Sequence, residues 1–190
     1  MNSFEFGDSR IIEERISSQR VFDGLILHID HDTNRLPDGS LAKREIARHI
    51  GAAAVIPVDE EGYVYLVRQF RSPFGRVLLE IPAGKLDVEN EDRLLAAQRE
   101  LREETGIHAE HWTKLNDLYS TVGFCDECIS IYLATGLTRG SQHLDPDEFL
   151  NVVRIPFAEA LRMAEKNMIH DSKTVIGLLL AEKYLIEENK

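Results

Sequence analysis

The chain has 190 residues, of which 43% are hydrophobic and 29% are charged. This is the composition of an ordinary globular protein, and the length suits one core or one domain with an appendage. The formal net charge of −11 disfavours a nucleic-acid backbone or an anionic membrane as the main partner, because like charges repel.

Residues 1–48 are predicted to form β-strands joined by turns. VFDGLILHID alternates loosely, LPDGS places proline and glycine at turn positions, and LAKREIARH supplies a return strand. A ribbon of two or three strands is marginally stable alone. We therefore predict a β-rich dimerisation segment over residues 1–48 and a main domain over residues 49–190.

The next segment predicts a second sheet. AAAVIPV precedes the turn DEEG, and the strands YVYLVRQF and RVLLEIP follow. Strand alternation places Arg68 and Arg71 on opposite faces, and both are candidate phosphate ligands because guanidinium groups pair with phosphate oxygens. Glu80 has apolar neighbours, where a lone buried charge is costly. We expect it to contact an arginine or a metal ion, and we assign it to the metal or to a group beside the metal.

The stretch GKLDVENEDRLLAAQRELREETGI, residues 84–107, carries the most informative pattern. Glu100, Glu103 and Glu104 are three and four positions apart, so on a helix they share one face. Such crowding costs stability unless a cation offsets it, and Mg²⁺ takes oxygen ligands and bridges carboxylates to substrate phosphates. Apolar residues on the opposite stripe would pack on a core, and Gly106 supplies the helix end. The sequence therefore predicts a metal-binding helix.

The rest of the chain alternates strands and helices. Strands are predicted near LNDLYS, CISIYLATGL and LNVVRI, the last after the polar loop TRGSQHLDPDE. Pro156 sits at a first-turn position of one helix, and Asp171 or Ser172 can cap the last. Strands interleaved with helices predict an α+β sandwich with a mixed sheet between helices.

Residues 84–107 resemble the box of the Nudix family, G-x5-E-x7-R-E-U-x-E-E-x-G-U, in which U is aliphatic. Every position from Glu91 onward matches, but six residues instead of five separate Gly84 from Glu91. One extra loop residue is tolerated cheaply. In the family the position of Glu91 is structural and tethers the arginine that is here Arg99.

The resemblance extends over roughly residues 20–185. YLVRQFRSPFGRVLLEIPAGKLD, GFCDECISIYLATGL and LDPDEF are similar to ADP-ribose pyrophosphatases and related nucleoside-diphosphate-sugar hydrolases. The resemblance implies an α/β/α sandwich and a Mg²⁺-dependent reaction, with Mn²⁺ as a possible substitute. It also implies that Glu100, Glu104 and Glu103 bind two or three metal ions and that the backbone carbonyl of Ala83 is a further ligand.

Hydrolysis also needs a group that deprotonates water, and carboxylates that hold metal are not free to do so. In the resembled subfamily this base lies on a loop after the box, and Glu148 in DPDEF is the match. Asp147 and Asp145 remain substitutes because one sequence does not fix the alignment of a loop. Glu103 is placed in the catalytic set together with Glu148.

The same resemblance assigns residues to the substrate. Arg71 is preferred to Arg68 for the phosphates. Glu127 is expected to line the substrate cleft or to cap its strand, and Phe22 is a stacking group for a nucleobase. Related enzymes form homodimers in which the N-terminal ribbon crosses over to complete the partner's nucleoside pocket, so a homodimer is expected.

The resulting hypothesis is hydrolysis of the pyrophosphate bond of ADP-ribose to AMP and ribose 5-phosphate. The alternative within the same class is a pyrophosphatase of GDP-mannose or another sugar nucleotide. The alternative from another class is a Nudix-fold sensor that binds ADP-ribose without cleaving it. No apolar run reaches the ~20 residues that span a bilayer, and the first residues lack a basic-then-apolar leader, so a cytoplasmic location is expected.

Overall fold

The structure is a computed structural model and describes residues 10–188, which divide into two compact units. The first unit contains the described residues up to His49 together with Thr121–Glu127, and the second contains Ile50–Ser120 and the chain from Cys128 onward. Among residues 10–188, no helix has the length and apolar character needed to cross a bilayer.

The first unit is a three-stranded antiparallel sheet in the order β1-β2-β3. Its strands are β1 (Glu14–Asp23), β2 (His28–Arg35) and β3 (Leu41–Arg48). The predicted turn between β2 and β3 is present, with Gly39 at φ 86° and its N–H donating to the carbonyl of Leu36. Asp30 on the central strand is 8% exposed and accepts hydrogen bonds from Arg20 and Arg48.

The segment Thr121–Glu127 belongs to the first unit, although the sequence analysis placed it in the main domain. The N–H of Ala47 donates to the carbonyl of Phe124 (2.7 Å), and the N–H of Asp126 donates to the carbonyl of Ala47 (3.2 Å). The Asp126 carboxylate accepts from Arg48 and from the backbone N–H of His49. These contacts join residues far apart in sequence, which local patterns do not reveal.

The second unit contains two sheets and three α-helices. The four-stranded mixed sheet has the order β7-β4-β9-β8 and the three-stranded antiparallel sheet has the order β10-β5-β6. Only the β4–β9 pair is parallel among the described strand pairs of this unit. The elements are β4 (Ala52–Pro57), β5 (Tyr63–Arg71), β6 (Arg76–Glu80), β7 (Ala83–Lys85), α1 (Arg93–Thr105), β8 (Ile107–Tyr119), β9 (Cys128–Arg139), β10 (Leu150–Pro156), α2 (Phe157–Glu165) and α3 (Ser172–Glu188).

Strand β4 separates two hydrophobic cores, because its alternate side chains point to opposite faces. Ala54 and Ile56 join the core that includes α2 and α3, whereas Ala53 and Val55 join the core that includes α1. A sheet covered by helices on both faces is an α/β/α sandwich. The predicted α+β class with a mixed sheet and an N-terminal antiparallel ribbon is therefore confirmed.

Helix α1 is fixed at both ends by local signals. The Asp92 side chain caps the first turn by accepting from the N–H groups of Leu94 and Leu95. At the other end Gly106 adopts φ 70° and donates its N–H to the carbonyl of Arg102. Arg93 also donates from Nη1 to the carbonyls of Ala52 and Cys128, which ties the start of α1 to β4 and β9.

The extra loop residue before the helix is absorbed by a turn. The N–H of Glu91 donates to the carbonyl of Val88, and Asn90 between them has φ 65°. Asparagine tolerates this left-handed conformation better than most residues. The helix and its carboxylates therefore keep their register.

Candidate active site

Two of the helix carboxylates are buried side by side. Glu100 is 9% exposed and Glu104 is 3% exposed, while Glu103 is half-buried. Burial raises the pKa of Glu100 to about 7 despite the opposing effect of Arg99, and Glu103 raises it further. Burial and the charge of Glu100 raise the pKa of Glu104 well above its ordinary value. Both shifts reflect negative charges that are crowded and poorly hydrated.

Arg99 holds part of this carboxylate face. Its Nη1 donates to Glu100 Oε1 (2.7 Å) and to Glu103 Oε2 (3.2 Å). Glu91 Oε2 lies 3.5 Å from Arg99 Nη2 and accepts from the N–H of Asp87. Glu91 thus contacts Arg99, in agreement with the structural tether that the resemblance implied.

The backbone of β7 closely approaches the same carboxylates. The N–H of Ala83 donates to Glu104 Oε2 (3.1 Å). A Cβ atom added to Gly84 would lie 2.2 Å from Glu100 Oε1 and 2.5 Å from Glu100 Oε2. Only glycine leaves room for the Glu100 carboxylate at this position.

The donor set suits a hard divalent cation, because the converging side chains offer carboxylate oxygens. Among the described residues, however, no group of three or more His, Cys, Asp or Glu side chains is already arranged to hold a metal ion. Arg99 engages Glu100 and Glu103 in this arrangement. A cation would therefore compete with Arg99 for these two carboxylates.

Glu80 lies at the end of β6 and is 2% exposed. Arg71 donates to both of its oxygens, from Nε and Nη2, each at 2.7 Å, and Lys173 Nζ donates to Oε2 at 2.6 Å. Burial alone would raise the pKa of Glu80, but the bonds from Arg71 and Lys173 hold it below its usual value. Glu80 thus contacts an arginine, as one of the two expectations had it. Its assignment to the metal stays a prediction.

The pairing of β5 with β6 shows which arginine shares the face of Glu80. Val67 is the partner of Glu80, so Gln69 and Arg71, two and four positions further on, lie on that face. Arg68 is the partner of Leu79 and lies on the opposite face. The structure therefore brings Arg71 to the buried Glu80 carboxylate and places Arg68 on the other face of the sheet.

The loop before β10 contributes Glu148. Its side chain is half-buried, whereas Asp145 and Asp147 are exposed. Burial raises the pKa of the Glu148 carboxyl, and the Glu148 charge in turn raises the pKa of Glu100 and Glu104. Glu148 is thus the loop acid whose charge contributes to the raised pKa of both helix carboxylates.

Gln69 is a site residue that the sequence analysis missed. Its Nε2 donates to Glu148 Oε1 at 3.4 Å. Strand alternation places Gln69 on the same face as Arg71, which the resemblance preferred, so the signal was present in the sequence. This contact brings an uncharged amide donor to the Glu148 carboxylate.

The segment that leads to Glu148 is fastened to the C-terminal end of α1. Gln142 Nε2 donates to the carbonyl of Glu104 (2.6 Å), and the N–H of His143 donates to the carbonyl of Glu103 (2.9 Å). The N–H of Gly140 donates to the carbonyl of Gly106. These bonds satisfy carbonyls that a helix end leaves without partners, and they fix one end of the Glu148 loop.

Phe22 and Glu127 lie in the first unit, whereas the carboxylates lie in the second. Phe22 is 55% exposed near the end of β1. Glu127 Oε1 lies 3.6 Å from Nε2 of His49. The substrate roles assigned to both residues stay predictions.

Comparison with known proteins finds relatives over most of the chain. The family model described as NUDIX domain matches residues 47–176. The ADP-ribose pyrophosphatase of Bacillus subtilis (strain 168) is 38% identical over 168 residues, which cover 87% of this chain and 90% of that protein. The methanol dehydrogenase activator of Bacillus methanolicus is 40% identical over 168 residues, with coverage of 87% and 90%.

A solved structure supports the fold. A crystal structure described as an ADP compounds hydrolase matches with a TM-score of 0.82 at 23% identity, and the match covers 96% of this chain and 98% of that one. The family model covers most of the chain, including the helix that carries the buried carboxylates. The chain therefore belongs to the Nudix hydrolase family.

Proposed function

We propose that the protein hydrolyses the pyrophosphate bond of ADP-ribose, giving AMP and ribose 5-phosphate, with Mg²⁺ as its cofactor. The observation that carries this proposal is the burial of Glu100 and Glu104 beside the Ala83–Gly84 backbone. Buried like charges are costly, and a divalent cation held by these carboxylates would offset them and attract a diphosphate. The relative named ADP-ribose pyrophosphatase supports the choice of substrate.

Residues of the second unit are assigned to metal binding and to phosphate binding. Glu100, Glu104 and Glu103, with the carbonyl of Ala83, would hold Mg²⁺ or Mn²⁺, which polarises a diphosphate and lowers the pKa of bound water. Arg71 keeps Nη1 for a phosphate oxygen, because Nε and Nη2 bind Glu80.

Glu148 takes the proton of the attacking water. A carboxylate with a raised pKa is a stronger base than an ordinary glutamate and suits this role. Asp147 and Asp145 are the substitutes within the loop.

The first unit is proposed to supply the homodimer and part of the nucleoside pocket. Strand β1 is exposed along its whole length, and Ile16, Val21 and Phe22 on it are 44–55% exposed. An exposed strand with apolar side chains is a surface that pairs with another chain. In our proposal a second copy covers Ile16 and Val21. Phe22 and Glu127 remain the proposed substrate contacts of this unit.

The cytoplasm is the proposed compartment. Cys125 and Cys128 are both free thiols, and free thiols are typical of reducing compartments. Assay buffers should therefore contain a reductant, which keeps both thiols reduced.

The test incubates the purified protein with ADP-ribose in Mg²⁺ or in EDTA and identifies the products by chromatography. AMP and ribose 5-phosphate are expected in Mg²⁺ and not in EDTA. Glu104→Gln should abolish most turnover, because the amide keeps the shape but loses the charge, whereas the exposed Glu110→Gln is the matched control. Binding of ADP-ribose without cleavage would favour the sensor, and full activity of Glu104→Gln would refute the metal site.

A further inference from the structure

The start of α3 forms a hydrogen-bonded cluster with the end of β6. Asp171 Oδ2 accepts from the N–H and the hydroxyl of Thr174 and caps the helix. Thr174 Oγ1 accepts in turn from the N–H of Ile81 (2.8 Å). Lys173 Nζ donates to Glu80 Oε2 (2.6 Å) and to Asp171 Oδ1 (3.0 Å). The segment Asp171–Thr174 thus forms hydrogen bonds to both Glu80 and Ile81.

Lys173 is buried, which is unusual for a lysine side chain. The residue is 9% exposed and Thr174 is fully buried, and lysine is almost never buried unless it is paired. Here two cations, Arg71 and Lys173, face two carboxylates, Glu80 and Asp171, so that the charges of the cluster cancel. Lys173 is therefore required for the charge balance around Glu80.

Arg71 contacts the same cluster through Glu80. Its Nε and Nη2 bind Glu80, and its Nη1 makes no hydrogen bond to any other group within residues 10–187. The Arg71 side chain is 38% exposed, so part of it reaches solvent. Without Lys173, Arg71 would be the cation shared by Glu80 and Asp171, and the attraction of Asp171, which already acts on Arg71, would draw the guanidinium inward.

We propose that Lys173, held by Asp171, is a positioning residue that fixes Arg71 through Glu80 so that Arg71 can bind the diphosphate of the substrate. The inference rests on the proposed function for the identity of the ligand. Lys173 itself does not contact the substrate in this proposal. Its effect on substrate affinity must therefore pass through Arg71.

A double-mutant cycle tests that dependence by measuring the Kd of ADP-ribose in EDTA, where no metal-dependent turnover occurs. Arg71→Met should weaken binding about tenfold or more, as expected for loss of a hydrogen bond between charged groups. Lys173→Met should weaken it by a similar factor. The double variant should bind no more weakly than Arg71→Met alone. Additive losses, or unchanged affinity in Lys173→Met, would overturn the proposal.

Two further variants separate positioning from general stability. Lys173→Arg keeps the cation and should retain the wild-type Kd, whereas Lys114→Met removes an exposed ion pair with Asp117 and should leave the Kd unchanged. If Lys173→Met does not fold, Lys173→Gln takes its place in the cycle, because it removes the charge but keeps a hydrogen-bond donor.

Failure of the proposed function is recognised separately. If the wild-type protein neither binds ADP-ribose in EDTA nor cleaves it in Mg²⁺, the substrate assignment is wrong. The positioning role is then tested by the exchange rate of the Arg71 Nε–H, measured by ¹⁵N NMR. That proton donates to Glu80 in the wild type, so a guanidinium drawn toward Asp171 in Lys173→Met should change its exchange rate at least about tenfold, the factor that corresponds to about 1.4 kcal/mol. An unchanged exchange rate would overturn the positioning role whatever the substrate is.

Discussion

Gly84 and Glu100 depend on each other more closely than their separation in sequence suggests. The Glu100 carboxylate occupies the space that a side chain at position 84 would take. The sequence identified Gly84 through the motif spacing and Glu100 through helical periodicity. The contact between them is a tertiary feature that neither pattern contains.

Gly84→Ala is expected to reduce turnover strongly with little change in melting temperature. The added methyl group would meet the far end of the Glu100 side chain at 2.2 Å, so the carboxylate moves and the backbone does not need to. Activity and thermal unfolding are measured on the same samples. Gly123→Ala is the control, because nothing lies within 4 Å of a Cβ at that position. Normal turnover in Gly84→Ala would show that the position of Glu100 is unimportant.

Glu148→Gln is expected to lower kcat by about 10²- to 10⁴-fold, the usual contribution of a general base. The KM for substrate should change little, because the amide keeps the contact with Gln69. Steady-state kinetics of Asp147→Asn and Asp145→Asn give the comparison. A larger loss of kcat in either of these variants would assign the base to that residue instead.

The loop after β9 is hydrogen-bonded to the C-terminal end of helix α1. Gly106 ends the helix, and a Cβ on it would lie 2.8 Å from the backbone nitrogen of Gln142. The hydrogen bonds of Gly140, Gln142 and His143 to the helix end hold the segment that continues to Glu148. The helix end therefore supports two parts of the site.

Gly106→Ala is expected to destabilise the protein more than Gly62→Ala. Both glycines have positive φ, which costs a residue with a side chain about 1–2 kcal/mol. Gly62 has open space around it, whereas Gly106 would also clash with backbone atoms. Urea denaturation of both variants measures the difference in the free energy of unfolding. Equal losses would mean that the loop does not pack on the helix end as described.

The elements differ in how far the sequence predicts them. Helix α1, its end at Gly106 and the strands β5 and β6 follow from periodicity and terminal residues, which are local signals. The Lys173–Glu80 contact joins residues 93 positions apart, and the assignment of Thr121–Glu127 to the first unit depends on bonds to β3. Such contacts arise from packing of distant segments, and no periodicity encodes them.

The assembled molecule is expected to be a homodimer. The exposed apolar side chains of β1 would lie in the interface, so light scattering at micromolar concentration should give twice the mass of one chain. Val21→Lys should shift the mass toward the monomer by placing a charge there. Lys43→Glu, on the other edge strand of the same sheet, is the control. A wild-type monomer with full activity would contradict the dimer.

The central claim is that the protein is a hydrolase of ADP-ribose, and kcat/KM across a panel of nucleotides with Mg²⁺ tests it most directly. The panel contains ADP-ribose, GDP-mannose, ADP-glucose, ATP and GTP. We predict that kcat/KM for ADP-ribose exceeds that for either triphosphate at least about tenfold, which corresponds to about 1.4 kcal/mol of transition-state binding. A sugar nucleotide in first place would change the substrate within the diphosphate class, whereas a triphosphate in first place would contradict the claim.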